Sequence, residues 1–179
     1  IVLYPYWFVP SSIAIGEFLP KIKNDPSWLD RQNMQVIDRE GNIVDPKNLN
    51  WAQFNAAFFP FTIRQSTGCD NALGVLKVDV KTPLGVYLHD TNNKASFLLS
   101  KRFFSHGCIR LEESMLLGNY LLEKQLDTLY LQSCLKEQQP AYLPLMAPMP
   151  VLVFYTLVHP QPGGGVRYYP DTYKLFQNK

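Results

Sequence analysis

The sequence predicts an α+β fold that is mainly β, with short helices. Of its 179 residues, 14 are proline and 13% are aromatic, a composition that favours strands and turns over long helices. The strand-like segments are short and are separated by Gly, Asn and Pro. A convincing amphipathic helical pattern occurs over residues 112–124 alone. With 46% apolar residues the chain has enough material for a core, so a disordered or fibrous chain is excluded.

The first elements are interrupted by proline. The pattern of residues 1–10 predicts the end of a strand. Pro5 and Pro10 are expected to stop this strand, because proline has no N–H to donate to a β-ladder. A short helix is expected to follow over residues 11–23, bent or ended by Pro20.

Turns dominate residues 17–59. Asp25 and Pro26 predict a second helix start, with a capping carboxylate and a proline at the first helical position. Residues 34–38 predict a strand, and residues 39–42 predict a hairpin turn into the next one. Because this region is small, mixed and rich in turns, it resembles an insertion more than the core of a sheet.

From residue 61 the pattern becomes that of a sheet. Strands are predicted at residues 61–65, 75–81 and 85–89. The second of these alternates cleanly, with Leu76, Val78 and Val80 on one face and charged residues on the other.

The C-terminal third predicts one helix and a hairpin. Residues 112–124 predict a helix whose apolar stripe, at 116, 117, 120 and 121, faces the core. Residues 150–158 predict a buried strand, and three glycines at 163–165 predict a turn into a hairpin strand at 166–169.

Charge and hydropathy argue against nucleic acid as a partner and against a transmembrane segment within this sequence. Lys plus Arg number 17 and Asp plus Glu number 15, so the net charge is +2, and no basic run is present. This balance argues against nucleic acid. No run reaches the ~20 apolar residues of a transmembrane segment, and residues 1–10 do not read as a signal peptide.

The densest cluster of reactive side chains spans residues 105–110, with His89 upstream. A cysteine nucleophile needs a base to raise its thiolate fraction and donors for the oxyanion that forms. His89 is a candidate base, and Gly107 lets the backbone beside Cys108 approach a substrate closely. Arg110 lies on the same side of an extended segment as Cys108, where it can bind a carboxylate or strengthen the positive field.

Two other interpretations stay open. Histidines and cysteines are also zinc ligands, although none of those present forms a pair with the spacing of a structural zinc site. Cys108 could also be a small buried apolar residue beside an ordinary turn. A polar turn with glycine is a poor place for an inert core cysteine, which favours the nucleophile.

The arrangement resembles the signature of the YkuD-type L,D-transpeptidase catalytic domain. That signature is an upstream histidine, here in Tyr87-Leu88-His89-Asp90-Thr91, followed after a spacer by a Ser/Thr-His-Gly-Cys turn, here Ser105-His106-Gly107-Cys108. The family often has Asn where this chain has Arg110, and a long-insert branch from Gram-negative bacteria uses Arg. The similarity to that branch covers nearly the whole chain, through matching stretches at 6–13, 19–22, 24–26 and 71–74.

The resemblance implies a β-sandwich catalytic domain over residues 1–179, with residues 17–59 as an insertion that caps the site. Domains of this family normally begin with further strands ahead of the stretch at 6–13. The resemblance therefore implies either that these first strands lie outside the chain or that strand exchange or an oligomer completes the sheet.

It also implies a cysteine-dependent enzyme of the periplasm or cell envelope that takes part in cell-wall biogenesis and cell shape. Its partners would be peptidoglycan stem peptides, and no cofactor or metal is implied. Cys108 would attack the carbonyl between the third and fourth stem residues and release the terminal D-alanine. A second stem would then take the acyl group as a 3→3 cross-link, and carbapenems would acylate the same thiol.

The resemblance assigns roles to the other residues of the site. His89 would be the base, His106 would support the geometry of the turn, and the amides of Gly107 and Cys108 would hold the oxyanion. The donor-stem cleft would be lined by Tyr87, Ser105 and Arg110.

Several alternatives remain within this resemblance. With water as acceptor, the same site would make an L,D-carboxypeptidase or a hydrolase that detaches a protein from the wall. A non-catalytic wall-binding module would keep the cleft without turnover. A disulfide between Cys69 and Cys134 is neither required nor forbidden by their separation in an oxidising compartment.

Overall fold

The computed structural model describes residues 1–127, 129, 131, 133 and 138–176. It divides into two compact units, Ile1–Ala147 and Pro148–Lys179. The described residues form mostly short strands with a few short helices, which confirms the predicted α+β class. No helix in these parts of the chain is both long and apolar enough to cross a membrane.

The first unit holds all of the elements that position the site. Its strands are β1 (Val2–Leu3), β2 (Trp7–Phe8), β3 (Met34–Ile37), β4 (Ile43–Val44), β5 (Thr62–Gln65), β6 (Leu76–Val78), β7 (Leu88–His89), β8 (Ile109–Arg110) and β9 (Ala141–Tyr142). Its described α-helices are α1 (Ser11–Ile13), α2 (Leu19–Asn24), α3 (Trp28–Arg31) and α4 (Ser114–Leu122).

A five-stranded sheet carries the reactive residues, in the order β8-β7-β6-β1-β9. Strands β7 and β8 are parallel, and the other neighbouring pairs are antiparallel. Leu76 and Val78 are buried while Lys77 between them is only half-buried, which confirms the predicted alternation along β6. This sheet places β7, and with it His89, between β6 and β8.

A four-stranded sheet has the order β2-β5-β3-β4. The predicted strand at 34–38 and the hairpin turn after it are confirmed, because β3 pairs with β4 across that turn. Strand β5 pairs with β3 on one side and with β2 on the other. The strand expected within residues 1–10 is thus two strands, β1 and β2, which belong to different sheets.

An apolar cluster packs with the four-stranded sheet. Its members without exposed surface are Ile22, Leu29, Val36 and Ile63. Residues 17–59 therefore contribute two strands and much of a buried cluster. Their role as a cap over the site stays a prediction.

The expected helix over 11–23 is present and contains a π-helical turn. Ala14–Phe18 forms that turn between α1 and α2, and Pro20 is the second residue of α2. Proline has no N–H to donate, and its ring clashes with the carbonyl four residues earlier in a regular α-helix. The wider turn accommodates Pro20, so the helix continues to Asn24.

The second helix begins later than predicted. Helix α3 starts at Trp28, and the residue at its N-cap position is Ser27 rather than Asp25, with no capping hydrogen bond from the Ser27 side chain. The Asp25 carboxylate instead accepts the Ser27 N–H at 3.0 Å, which closes a local turn before the helix.

Helix α4 is present, but the prediction of its buried stripe is wrong. Leu116 and Tyr120 are 67% and 66% exposed, whereas Ser114 and Gly118 are buried. A Cβ at Gly118 would lie 2.7 Å from Leu76 Cδ1, so the helix approaches β6 through its small residues. At Gly118 the Leu76 side chain occupies the space of a side chain, so this contact with β6 is made at a glycine, while Leu116 and Tyr120 lie on an exposed face.

The second unit contains the predicted hairpin but no buried strand at 150–158. Strands β10 (Val158–Pro160) and β11 (Val166–Tyr168) pair across the glycine turn. Leu152 and Phe154 lie outside strands and are exposed. An apolar run is buried only where a second layer faces it, and among its described residues this short unit forms a single hairpin.

Candidate active site

The candidate base and nucleophile lie on adjacent parallel strands. In the register of β7 and β8, Leu88 pairs with Ile109 and His89 pairs with Arg110. The Ile109 N–H donates to the Tyr87 carbonyl at 3.1 Å, and Cys108 directly precedes the paired residues of β8. Residues paired across a sheet project to the same face, and alternate residues along a strand share it. The topology therefore brings the sequence-predicted residues Tyr87, His89, Cys108 and Arg110 onto one face.

His89 is buried and has a defined tautomer. Its Nδ1 makes a short hydrogen bond with the Asp90 carbonyl oxygen, which can only accept. Nδ1 therefore carries the proton in the neutral ring, and the lone pair is on Nε2. A histidine in this state can take a proton from a thiol.

The charge state of His89 favours the same role. Burial is the main cause that lowers the pKa of His89, and the positive charges of Arg110 and Lys77 lower it further. The Asp90 carbonyl and carboxylate act in the opposite direction without reversing the shift. His89 is therefore neutral at neutral pH.

Tyr87 contacts both reactive residues. Its ring packs edge-on against the His89 ring, with centroids 5.8 Å apart, and Lys77 Nζ lies 4.5 Å from its centroid. Burial, followed by the charge of Cys108 and a hydrogen bond with its thiol, raises the pKa of Tyr87 well above its ordinary value. The phenol is thus neutral and lies beside the sulfur.

The Ser-His-Gly-Cys turn is closed by its serine. Ser105 Oγ donates to the Cys108 carbonyl at 2.6 Å, and the Gly107 N–H donates to Ser105 Oγ at 3.4 Å. Gly107 has φ of +141°, which residues with a side chain rarely adopt. The turn therefore depends on Ser105 and Gly107, and the glycine leaves the backbone beside Cys108 open.

His106 points to another part of the chain. Its Nε2 lies 2.8 Å from Glu17 Oε1, and the side chain is 63% exposed. This contact links the turn to residues 17–59. Sequence reasoning missed Glu17, because a contact across 89 residues has no local signal.

Positive charge flanks His89 on both sides. Lys77 pairs with His89 across β6 and β7, as Arg110 does across β7 and β8. Arg110 is half-buried, and its Nε is buried without a hydrogen-bond partner among the described residues. Lys77 was missed as a site residue, although its place on the charged face of β6 was the signal that could have found it.

The cysteines differ in state. Cys108 is free and half-buried, whereas Cys69 is disulfide-bonded. The pairing considered for Cys69 involves Cys134, which lies outside the described residues. Within the described part of the chain, no group of three or more His, Cys, Asp or Glu side chains could hold a metal ion.

Comparison with known proteins shows the family of this chain. The family model of the YkuD L,D-transpeptidase catalytic domain matches residues 1–123. A protein of Haemophilus influenzae named "Putative L,D-transpeptidase" is 32% identical over 174 residues, which are 97% of this chain and 35% of that protein. The chain thus spans about a third of the length of this curated relative. The chain belongs to the YkuD family of L,D-transpeptidase catalytic domains.

Proposed function

We propose that this chain is a peptidoglycan L,D-transpeptidase that forms 3→3 cross-links through an acyl-enzyme on Cys108. The observation that carries the proposal is the placement of His89, with its Nδ1 proton held by the Asp90 carbonyl, on the strand next to Cys108. Family membership supports the reaction class, and the pairing of β7 with β8 supports His89 as the base and Cys108 as the nucleophile.

In the first half-reaction, His89 Nε2 takes the Cys108 thiol proton and the sulfur attacks the carbonyl between the third and fourth stem residues. A C–S bond forms, and backbone amides at Gly107 and Cys108 stabilise the oxyanion. The intermediate collapses with cleavage of the C–N bond. The protonated His89 gives its proton to the leaving amine of D-alanine, and a thioester on Cys108 remains.

In the second half-reaction, the side-chain amine of another stem attacks the thioester. A C–N bond forms, the C–S bond breaks, and the proton lost by the amine returns through His89 to the Cys108 sulfur. If water attacks instead, the product is a tripeptide stem and no cross-link forms.

The surroundings of the site suit a peptide donor. Arg110 and Lys77 pair with His89 from either side, and because Lys77 Nζ lies 2.6 Å from Asp79 Oδ1, Arg110 is the charge that would bind a carboxylate of the stem peptide. Tyr87 lies beside the nucleophile and Ser105 closes the turn. In this proposal residues 17–59 cap the cleft and the enzyme acts in the periplasm or cell envelope.

The first test is turnover of a muropeptide with a tetrapeptide stem. Wild-type protein should release D-alanine and form dimers, whereas Cys108→Ala and His89→Ala should lose at least about 10²-fold in rate. His159→Ala, at an exposed histidine of the second unit, is the matched control and should retain activity. Activity retained in Cys108→Ala would rule out the acyl-enzyme, and tripeptides without dimers would replace transpeptidation with hydrolysis.

A second test separates an enzyme from a wall-binding module. Incubation with a carbapenem followed by intact-mass spectrometry should show one adduct, and Cys108→Ala should show none. An unmodified wild-type protein would count against the acyl-enzyme and favour a module that only binds the wall, or a damaged site.

A further inference from the structure

We propose that Lys94 is a positioning residue that acts through the Asp90 carboxylate and so supports the peptide whose carbonyl holds His89 in the tautomer required of a base. This inference rests on the proposed function in one respect, the use of His89 as the base for Cys108. The Asp90 carbonyl accepts the Nδ1 proton of His89. Whatever fixes Asp90 therefore also fixes the tautomer and the ring orientation of His89.

Strand β6 and the turn before it anchor Asp90 at two points. The Asp90 N–H donates to the Leu76 carbonyl at 2.8 Å, and Asp90 Oδ2 accepts the Val75 N–H at 3.0 Å. Gly74 has φ of +61°, and a Cβ there would lie 2.3 Å from Asp90 Oδ2. The carboxylate, in a residue only 6% exposed, is thus enclosed by a turn that requires glycine.

Lys94 neutralises this buried carboxylate. Its Nζ lies 2.7 Å from Asp90 Oδ1, an atom that accepts no aligned hydrogen bond from the described residues. The same ammonium donates to the carbonyls of Leu111 and Glu112 at 3.1 and 2.6 Å. Three acceptors therefore surround a group with three N–H donors, and a buried charge without such a partner would be costly.

The Lys94 contacts join the two strands that carry the chemistry. Asp90 follows β7, whereas Leu111 follows β8, and the Leu111 N–H donates to the His89 carbonyl at 2.7 Å. Lys94 thus connects Asp90, the residue after His89, with the segment that follows β8. Without this connection, the Asp90 carboxylate loses its countercharge, and the Asp90 peptide that accepts the Nδ1 proton keeps, among the described residues, only its contacts with Leu76 and Val75.

The setting of Lys94 makes it suitable for substitution. Its side chain is half-exposed, at the edge of a cavity of about 580 Å³ whose lining includes Thr91, Glu112 and Glu113. A methionine at position 94 can occupy the same path, with water able to reach the carboxylate. Lys94→Met should therefore fold, whereas Asp90→Asn changes a buried group that packs against Gly74.

The test compares Lys94→Met, Lys94→Arg and Asp90→Asn with Lys124→Met, an exposed lysine just beyond α4. The first readout is the ¹⁵N NMR spectrum of the imidazole nitrogens, with the His89 signals assigned from their loss in His89→Gln. The second is the pH dependence of Cys108 alkylation by iodoacetamide. Neither readout requires a peptidoglycan substrate or turnover.

Wild type and Lys124→Met should show the Nδ1–H tautomer. Lys94→Met should show a mixture of His89 tautomers. Its Cys108 alkylation rate at neutral pH should be about ten-fold lower than that of the wild type, because partial loss of a general base removes part of its roughly 10²–10⁴-fold effect. Lys94→Arg should restore most of the rate. The negative charge of Asp90 raises the pKa of His89, whereas Lys77 and Arg110 lower it. Asp90→Asn removes that negative charge, so the acid limb of the alkylation profile should move to lower pH.

An unchanged tautomer together with a wild-type rate in Lys94→Met would overturn the proposal, whether or not Asp90→Asn folds. If the wild type fails to process muropeptides but the tautomer responds as expected, the proposed function falls and the positioning role stands. If wild type and Lys94→Met process muropeptides equally well and both show one His89 tautomer, the positioning role of Lys94 is wrong while the proposed function is kept.

Discussion

At the residue scale, the surroundings of His89 set the pH range in which the site works. Burial lowers its pKa, and Arg110 and Lys77 add to this effect. The folded-state pKa therefore lies below the ordinary value of about 6.5, and His89 stays unprotonated to lower pH than a free histidine.

The pH profile of kcat/KM for D-alanine release should show this shift. The acid limb of the wild type should have its midpoint below about 6.5, because kcat/KM follows the base of the free enzyme. Lys77→Met should move that midpoint to higher pH, since it removes a positive charge that lowers the pKa of His89. Lys23→Met, at an exposed lysine of α2, is the control and should leave the profile unchanged. A wild-type midpoint above 6.5 would contradict the neutral base.

At the element scale, the pairing of three short strands assembles the site. Each of β6, β7 and β8 is only two or three residues long, yet Lys77, His89 and Arg110 come into register across them. Helix α4 supports β6 from Gly118, next to the Leu76 side chain. The distance between helix α4 and strand β6 at this point is short because residue 118 is a glycine.

Substitution of Gly118 should therefore be costly. Gly118→Val adds a branched side chain where a Cβ alone would lie 2.7 Å from Leu76 Cδ1, so the free energy of unfolding should fall by about 1–3 kcal/mol despite the better helix propensity of valine. Leu116→Ala, on the exposed face of the same helix, should change it by no more than about 0.5 kcal/mol. Urea titrations followed by circular dichroism measure both. A larger loss in Leu116→Ala than in Gly118→Val would show that the helix packs through its large apolar residues.

At the scale of the whole molecule, the first unit joins two sheets within one compact body. Ile63 lies in the cluster that packs with the four-stranded sheet, and Leu76 lies in the five-stranded sheet. Neither side chain has exposed surface. If the unit folds cooperatively, a cavity made in either sheet weakens the same transition.

Ile63→Ala and Leu76→Ala should each lower the free energy of unfolding by about 2–5 kcal/mol. Both should do so in one shared transition, detected by tryptophan fluorescence and by circular dichroism. Ile43→Ala, at an exposed residue of β4, is the control and should have a small effect. Two separate transitions, each sensitive to only one substitution, would show that the sheets unfold independently.

Local patterns predicted much of this fold and failed where partners were distant. The alternation of Leu76, Lys77 and Val78 and the hairpin after β3 are encoded by neighbouring residues, and both predictions are confirmed. The burial of α4 and of residues 150–158 depended on which surface lies opposite, and both of these predictions are wrong. An apolar residue is buried only when another layer covers it, and a local pattern carries no information on that layer.

The sequence by itself determined the reactive residue types and their spacing, and with them the family, because His89 and the turn at 105–108 each lie in a short continuous segment. Only the tertiary structure decided that Lys77 pairs with His89, that Lys94 contacts the segments just after β7 and β8, and that Glu17 contacts His106. These contacts join parts of the chain that are remote from one another in sequence. Strand pairing and burial of the whole unit bring them together, and no local preference specifies which remote segment pairs with which.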